Sequence, residues 1–144
     1  GKISKIKIKY HNHKNSYYDF VGLANEKIKS KEYYNYAIKL FNENYFGLIN
    51  IKKSFLLKKK ILKSNDINGI DKWNGFPNVT EETSNNIVMK VNLETKDIIE
   101  LTYIVNGEII GPIKVDWPKS RKHKWYLMVS MDAGKSNWCQ IIKQ

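Results

Sequence analysis

Alternation of apolar and polar residues predicts consecutive antiparallel β-strands between Asn86 and Gly111. The residues that share one face at a period of two are Ile87, Met89, Val91 and Leu93 on the first strand, and Leu101, Tyr103 and Val105 on the second. Asn106-Gly107 is a strong hairpin signal, because both central residues of a type I′ turn need a positive φ. We expect a return strand from Glu108 that Gly111-Pro112 ends.

The same alternation predicts strands on both sides of this stretch. From Lys2 to Tyr10, apolar Ile6, Ile8 and Tyr10 alternate with lysines, which is typical of a half-buried antiparallel strand with one wet face. Further short strands are predicted over residues 17–24, 45–51, 125–131 and 138–142, and residues 113–115 form a short apolar stretch. On the strand at 125–131, Trp125, Leu127, Val129 and Met131 are predicted to face the core.

The region of about 51–86 lacks this clear pattern. Ile51 to Lys63 combines apolar residues with six lysines and no acidic residue, so it is either an amphipathic strand pair laid on the sheets or a basic amphipathic helix. The following 65–86 is rich in Asn, Gly, Ser and Thr, as expected of a long loop. Its aromatic residues, Trp73 and Phe76, are either core plugs or recognition anchors.

Composition indicates one basic globular domain. The chain has 144 residues, of which 42% are hydrophobic, and a net charge of +11 from 25 Lys plus Arg against 14 Asp plus Glu. Arg121 is the only arginine, which argues against specific base or phosphate recognition, where the planar guanidinium is preferred. Abundant Lys, Asn and Ile suit an AT-rich coding genome. The lysines are interpreted either as a solvated surface or as a nucleic-acid-binding face. No apolar run is long enough to predict a membrane span.

Candidate catalytic and metal-binding motifs are incomplete. Gly134-Lys135-Ser136 resembles the end of a phosphate-binding loop, but Val129 occupies the position where that motif needs glycine. Cys139 is expected to be buried and has no histidine close in sequence, and the carboxylates are scattered. His11 and His13 form an isolated His-x-His pair. We therefore expect no enzyme activity, no cofactor and no metal.

Several of these strands resemble those of SPRY domains. The resemblance covers most of the chain and is best in the C-terminal two-thirds. The family's apolar strand, polar turn, strand ending in Asn-Gly and short strand ending in Ile-Gly match residues 87–111. The remaining matches are 6–10 and 20–24 with the opening strand pair, 36–40 with the Trp-Gly segment, 125–130 with the penultimate strand and 139–142 with the closing strand. The resemblance also implies strands preceding Gly1.

The strand pattern and this resemblance together predict an all-β antiparallel sandwich of two sheets, a concanavalin-like jelly roll spanning residues 1–144. The resemblance implies an intracellular, cytoplasmic or nuclear, monomeric adaptor or scaffold module that recognises a peptide or protein surface. The alternative partner is nucleic acid, bound by the lysine-rich faces 5–9, 52–63 and 119–124 with exposed aromatic residues.

The resemblance further implies where a peptide would bind. In peptide-binding members of the family, the pocket uses the loop after the penultimate strand and an aromatic residue after the Trp-Gly segment. Carried over, these residues are Asp132, Ala133, Gly134, Lys135, Tyr45 and Phe46. The family's usual Val-Trp-Gly in that loop is Asp132-Ala133-Gly134 here. Trp73 and Phe76 join the predicted site as aromatic residues of the long loop, with Asp132 and Lys135 at the rim.

Overall fold

Strands make up nearly all of the described structure. The computed structural model describes residues 2–11, 19–28, 44–49, 54–57, 60–62, 67–70, 73, 84–93, 97–116, 124–130 and 138–142. The strands are β1 Lys2–His11, β2 Phe20–Asn25, β3 Tyr45–Ile49, β4 Ser54–Leu57, β5 Lys60–Leu62, β6 Asn85–Leu93, β7 Ile98–Val105, β8 Glu108–Asp116, β9 Trp125–Ser130 and β10 Trp138–Ile142. Within these ranges no α-helix occurs, and so none that could cross a membrane.

The strands form two antiparallel five-stranded sheets. Sheet A has the order β10-β1-β6-β7-β8, and sheet B has the order β5-β4-β3-β2-β9. Both sheets mix distant parts of the chain, since β1 pairs with β6 and β10, and β2 pairs with β9. The architecture confirms the predicted all-β sandwich.

The core lies between the two sheets. Ile8, Ile87, Met89 and Leu101 of sheet A belong to one buried cluster with side chains of sheet B. The buried Tyr103 hydroxyl reaches across and donates a hydrogen bond to the Val21 carbonyl, at 3.0 Å. Its ring also meets Phe55 edge-on, with 6.4 Å between the ring centroids. The apolar faces predicted for β6, β7 and β9 are thus confirmed except at Leu93, which is 39% exposed at the end of β6. Trp125, Leu127 and Val129 pack at the margin of the cluster. Met131 lies outside the described residues.

Sheet B is buried on both faces in its centre. The outward-facing residues of β2 and β3 that are buried are Phe20, Ala24, Tyr45 and Ile49. Gly22 and Gly47 pair directly across these strands, and the Phe20 ring lies over both. Tyr45 meets Phe20 edge-on, with 5.6 Å between the ring centroids. Burial raises the pKa of the Tyr45 hydroxyl to about 12.

The hairpin between β7 and β8 confirms one sequence prediction and corrects another. Asn106 and Gly107 have φ angles of 50° and 88°, as a type I′ turn requires. The prediction that Gly111-Pro112 ends the return strand was wrong, because β8 continues to Asp116. The register shifts from Tyr103↔Ile110 to Leu101↔Ile113. This bulge accommodates Pro112, which has no N–H to donate to the ladder.

The region 51–86 contains regular structure. The strands β4 and β5 pair antiparallel at the edge of sheet B, which confirms the strand-pair interpretation for these residues. The turn at 67–70 lies along the edge strand β8, where the Gly111 N–H donates to the Asn68 carbonyl at 2.9 Å. Trp73 follows this turn and is only 2% exposed within the core cluster. The core-plug interpretation therefore holds for Trp73.

Candidate recognition surfaces

Strand ends from both sheets meet at one end of the sandwich, here called the loop end. In sheet B, Phe20 is in register with Ile49 and Ser130. In sheet A, His11 is in register with Trp138 at the corresponding end of β1. The hydrogen bond from Tyr103 to Val21 joins the two sheets near these strand ends. The chain therefore enters or leaves the loop end at Ser130 and Trp138, which flank residues 131–137.

An asparagine cluster fixes part of the loop end. The Asn106 N–H donates to the Asn86 carbonyl at 2.9 Å, and the Asn86 N–H donates back to the Asn106 side-chain oxygen at 2.8 Å. The Asn106 amide also donates to Asn85 Oδ1, at 2.8 Å. These bonds tie the start of β6 to the β7–β8 turn, so this edge of the loop end is a rigid support.

Two residues of the predicted peptide site lie at the opposite end. Tyr45 and Phe46 begin β3, in register with Ala24 and Leu23 near the end of β2. Both are buried, at 1% and 3% exposure, on opposite faces of sheet B. The Phe46 ring packs on Trp125, with 5.1 Å between the ring centroids. In this conformation neither side chain presents a surface to a partner.

The other predicted site residues divide into two groups. Trp73 is buried in the core cluster. Phe76 and the loop residues Asp132, Ala133, Gly134 and Lys135 lie outside the described residues, as does the segment 36–40. The strands that flank residues 131–137 end at the loop end, so the connectivity is compatible with recognition by this loop.

A lysine-rich surface covers the outward side of one half of sheet A. Lys5, Lys7 and Lys9 project from β1 and are exposed, and half-buried Lys90 of β6 lies directly opposite Lys5. We call these four side chains the basic face. Their other partners in register are uncharged: Val88 and Ile142 beside Lys7, Asn86 and Gln140 beside Lys9, and Thr102 beside Lys90. Like charges directly opposite each other destabilise a sheet.

An aromatic stack adjoins the basic face at the loop end. His11 follows Lys9 on the same side of β1 and pairs with Trp138 of the edge strand β10. The two rings are parallel within 3°, with 5.1 Å between their centroids. His11 is buried, whereas 41% of the Trp138 surface is exposed. One indole face therefore rests on the imidazole while the side chain remains accessible to a ligand.

Sequence reasoning identified only part of this surface. It assigned the lysines of β1 to a wet face, but it did not include Lys90 or Trp138. The period of two in β6 places Lys90 on the outward side, which was a usable signal. The pairing of Lys5 with Lys90 depends on a register between strands that are far apart in the chain.

No metal or nucleophile site emerges from the described residues. They contain no group of three or more His, Cys, Asp or Glu side chains that could hold a metal ion. His13 lies outside them. The expectation that Cys139 is buried was wrong, because it lies exposed on the edge strand β10. Partial desolvation nevertheless raises the pKa of its thiol, which disfavours the reactive thiolate.

Comparison with known proteins adds no relative to these observations. The chain matches no protein-family model, and no match was found among curated proteins or among solved structures.

Proposed function

We propose that this domain is a protein-recognition module that binds a peptide segment or a protein surface through connections at the loop end. The observation that carries the proposal is the convergence of strand ends from both sheets at this end. Loops on a rigid sheet scaffold commonly carry binding function. The resemblance to SPRY domains favours the same end, since the loop after the penultimate strand there is residues 131–137.

The rigidity of the surrounding structure supports this proposal. The asparagine cluster and the bond from Tyr103 to Val21 fix strands beside the loop end. A support that does not rearrange lowers the entropic cost of binding. Asp132 and Lys135 are proposed as polar contacts at the rim of the site. Tyr45, Phe46 and Trp73 act in this proposal through packing, because their side chains are buried.

A peptide-display selection followed by affinity measurement tests the proposal. Peptides selected on the immobilised domain are labelled, and their Kd values are measured by fluorescence polarisation for the wild type and for Lys135→Glu. The matched control is Lys27→Glu, an equal charge change on an exposed turn at the opposite end of β2. Loss of binding in Lys135→Glu with retention in Lys27→Glu supports recognition at the loop end. Equal losses of affinity in Lys135→Glu and Lys27→Glu would overturn the proposal. So would a selection that yields no peptide with measurable affinity for the wild type.

A further inference from the structure

The basic face contains a pair of like charges that costs stability. Lys5 and Lys90 lie directly opposite each other, and Lys7 and Lys9 extend the same charge along β1. Successive outward residues of a strand are about 7 Å apart, so the three lysines of β1 form a regular cationic row. The cross-strand neighbours of Lys7 and Lys9 are uncharged. Glu100 of β7 lies on the same side, opposite Asn92 and diagonal to Lys90, and it also faces Lys114 of β8. Asp116 is farther across the sheet, at the end of β8.

Groups suited to a nucleobase adjoin this row. Trp138 offers an accessible indole already supported on one side by His11. The amide side chains of Gln140 and Asn86 flank Lys9 in register on either side. Amides both donate and accept hydrogen bonds, as base edges require. Lysines for phosphates beside an aromatic platform for a base are the two components of single-strand binding.

We infer that the outward side of β10, β1 and β6 binds a single-stranded nucleic acid. Lys5, Lys7, Lys9 and Lys90 contact phosphates, and a base stacks on Trp138 beside His11. Lysine contacts and stacking are both tolerant of sequence, so the binding is weakly specific. This surface adjoins the loop end at Trp138, but the inference does not depend on the proposed peptide site.

Salt dependence gives the inference a magnitude. For a single strand, the logarithm of affinity falls with the logarithm of salt concentration with a slope of about −0.7 per phosphate contact. Four contacts therefore predict a roughly 50-fold loss of affinity between about 50 and 200 mM salt. Removing two contacts reduces that loss to about sevenfold. Loss of one stacked base weakens binding by about 5- to 150-fold.

The experiment uses the whole chain and a fluorescent oligothymidylate of about 12 nucleotides, which is within the usual site size of such surfaces. Binding is measured across salt concentrations for the wild type and for Lys5→Gln/Lys90→Gln. The matched control is Lys27→Gln/Lys124→Gln, which lowers the net charge equally, from +11 to +9. These two lysines are exposed beside the ends of β2 and β9 of sheet B, away from the basic face. We expect the shallow salt dependence only in the variant of the basic face.

A charge reversal separates binding from folding, and a pair of aromatic substitutions tests the stacked base. Lys5→Glu turns the repulsive pair with Lys90 into an attractive one, so we expect a higher Tm together with weaker oligonucleotide binding. A variant that is merely misfolded would instead show a lower Tm together with weaker binding. Trp138→Ala should weaken binding by the stacking factor, whereas Tyr126→Ala, which removes an exposed aromatic residue from the edge strand of sheet B, should leave binding unchanged.

Three results would overturn the inference. The first is no oligonucleotide binding at about 50 mM salt, where phosphate contacts are strong. The second is an equal effect of the two double variants, which would reduce binding to net charge. The third is binding to phosphatidylserine vesicles without binding to the oligonucleotide, which would assign the basic face to a membrane surface.

Discussion

Gly47→Ala is expected to destabilise the domain by steric overlap in sheet B. A Cβ atom on Gly47 would lie 2.5 Å from the Val21 carbonyl oxygen, 2.6 Å from Gly22 Cα and 2.9 Å from the tip of the Phe20 ring. Two of these neighbours are backbone atoms of β2, so a side-chain rotation cannot relieve the overlap. The strands must separate, or the pair of glycines must shift out of register.

The expected sign is opposite to the intrinsic preference of the two residues. Glycine within a strand is less favourable than alanine by roughly 0.5–1 kcal/mol, so a substitution without overlap would stabilise the protein. Overpacking costs about 1–3 kcal/mol, and contact with two backbone atoms of β2 favours the upper part of that range. We therefore expect a net loss of about 2 kcal/mol, a substantial fraction of a typical stability of roughly 5–15 kcal/mol.

Urea unfolding followed by tryptophan fluorescence measures this loss. With a slope of about 2 kcal/mol per molar urea, the midpoint should fall by roughly 1 M. Gly107→Ala separates steric overlap from backbone strain. A Cβ there meets nothing within 4 Å, so its expected loss of about 1–2 kcal/mol comes from the φ angle of 88° alone, whereas Gly47 has no positive φ. An unchanged or higher midpoint for Gly47→Ala would show that β2 and β3 do not approach as closely as described.

Three further predictions concern side chains of the core and the loop end. Tyr103→Phe should lower stability by about 1–3 kcal/mol in urea unfolding, because the buried Val21 carbonyl loses a donor while ring packing is kept; an unchanged midpoint would contradict this role. The Tyr45 pKa of about 12 exceeds its unfolded value of about 10, so its contribution to stability is complete below pH 10 and is lost as the pH rises towards 12. Between pH 9 and pH 11 the wild type should therefore lose more stability than Tyr45→Phe, by an amount on the order of 1 kcal/mol, and equal losses would refute the assigned burial. Asn106→Ala should destabilise the turn by about 1–2 kcal/mol more than Asn106→Gly, since both remove the side-chain bonds but only alanine resists the φ of 50°; equal urea midpoints would contradict that account.

Local sequence patterns predicted the strands that have one buried face and one solvent-exposed face. In β1, β6, β7 and β9 the period of two identified the core face, because polar residues alternate where water meets the sheet. Asn106-Gly107 identified the hairpin through the positive φ angles that its residues tolerate. These inferences needed only neighbours in sequence.

Tyr45 and Phe46 of the predicted peptide site lie in a part of sheet B that is buried on both faces. Every residue of β2 and β3 is buried, so these strands carry no alternation from which an outward side chain could be recognised. Tyr45 was assigned to the predicted site through the family resemblance, and in the structure it packs on Phe20. Its position at the end opposite Ser130 follows from strand pairing, which the sequence of β3 alone does not specify.

The two proposed surfaces adjoin at Trp138, and the register of β1 provides the means to separate them. Trp138 follows residues 131–137 at the loop end and also stacks on His11 beside the basic face. A Trp138 variant can therefore disturb both peptide and oligonucleotide binding. Lys5 lies six residues from His11 along β1, about 20 Å from the loop end at the rise of an extended strand. A Lys5→Gln/Lys90→Gln protein that keeps peptide affinity and loses oligonucleotide affinity would establish two independent sites, whereas parallel losses of both would mean that one continuous basic surface binds both ligands.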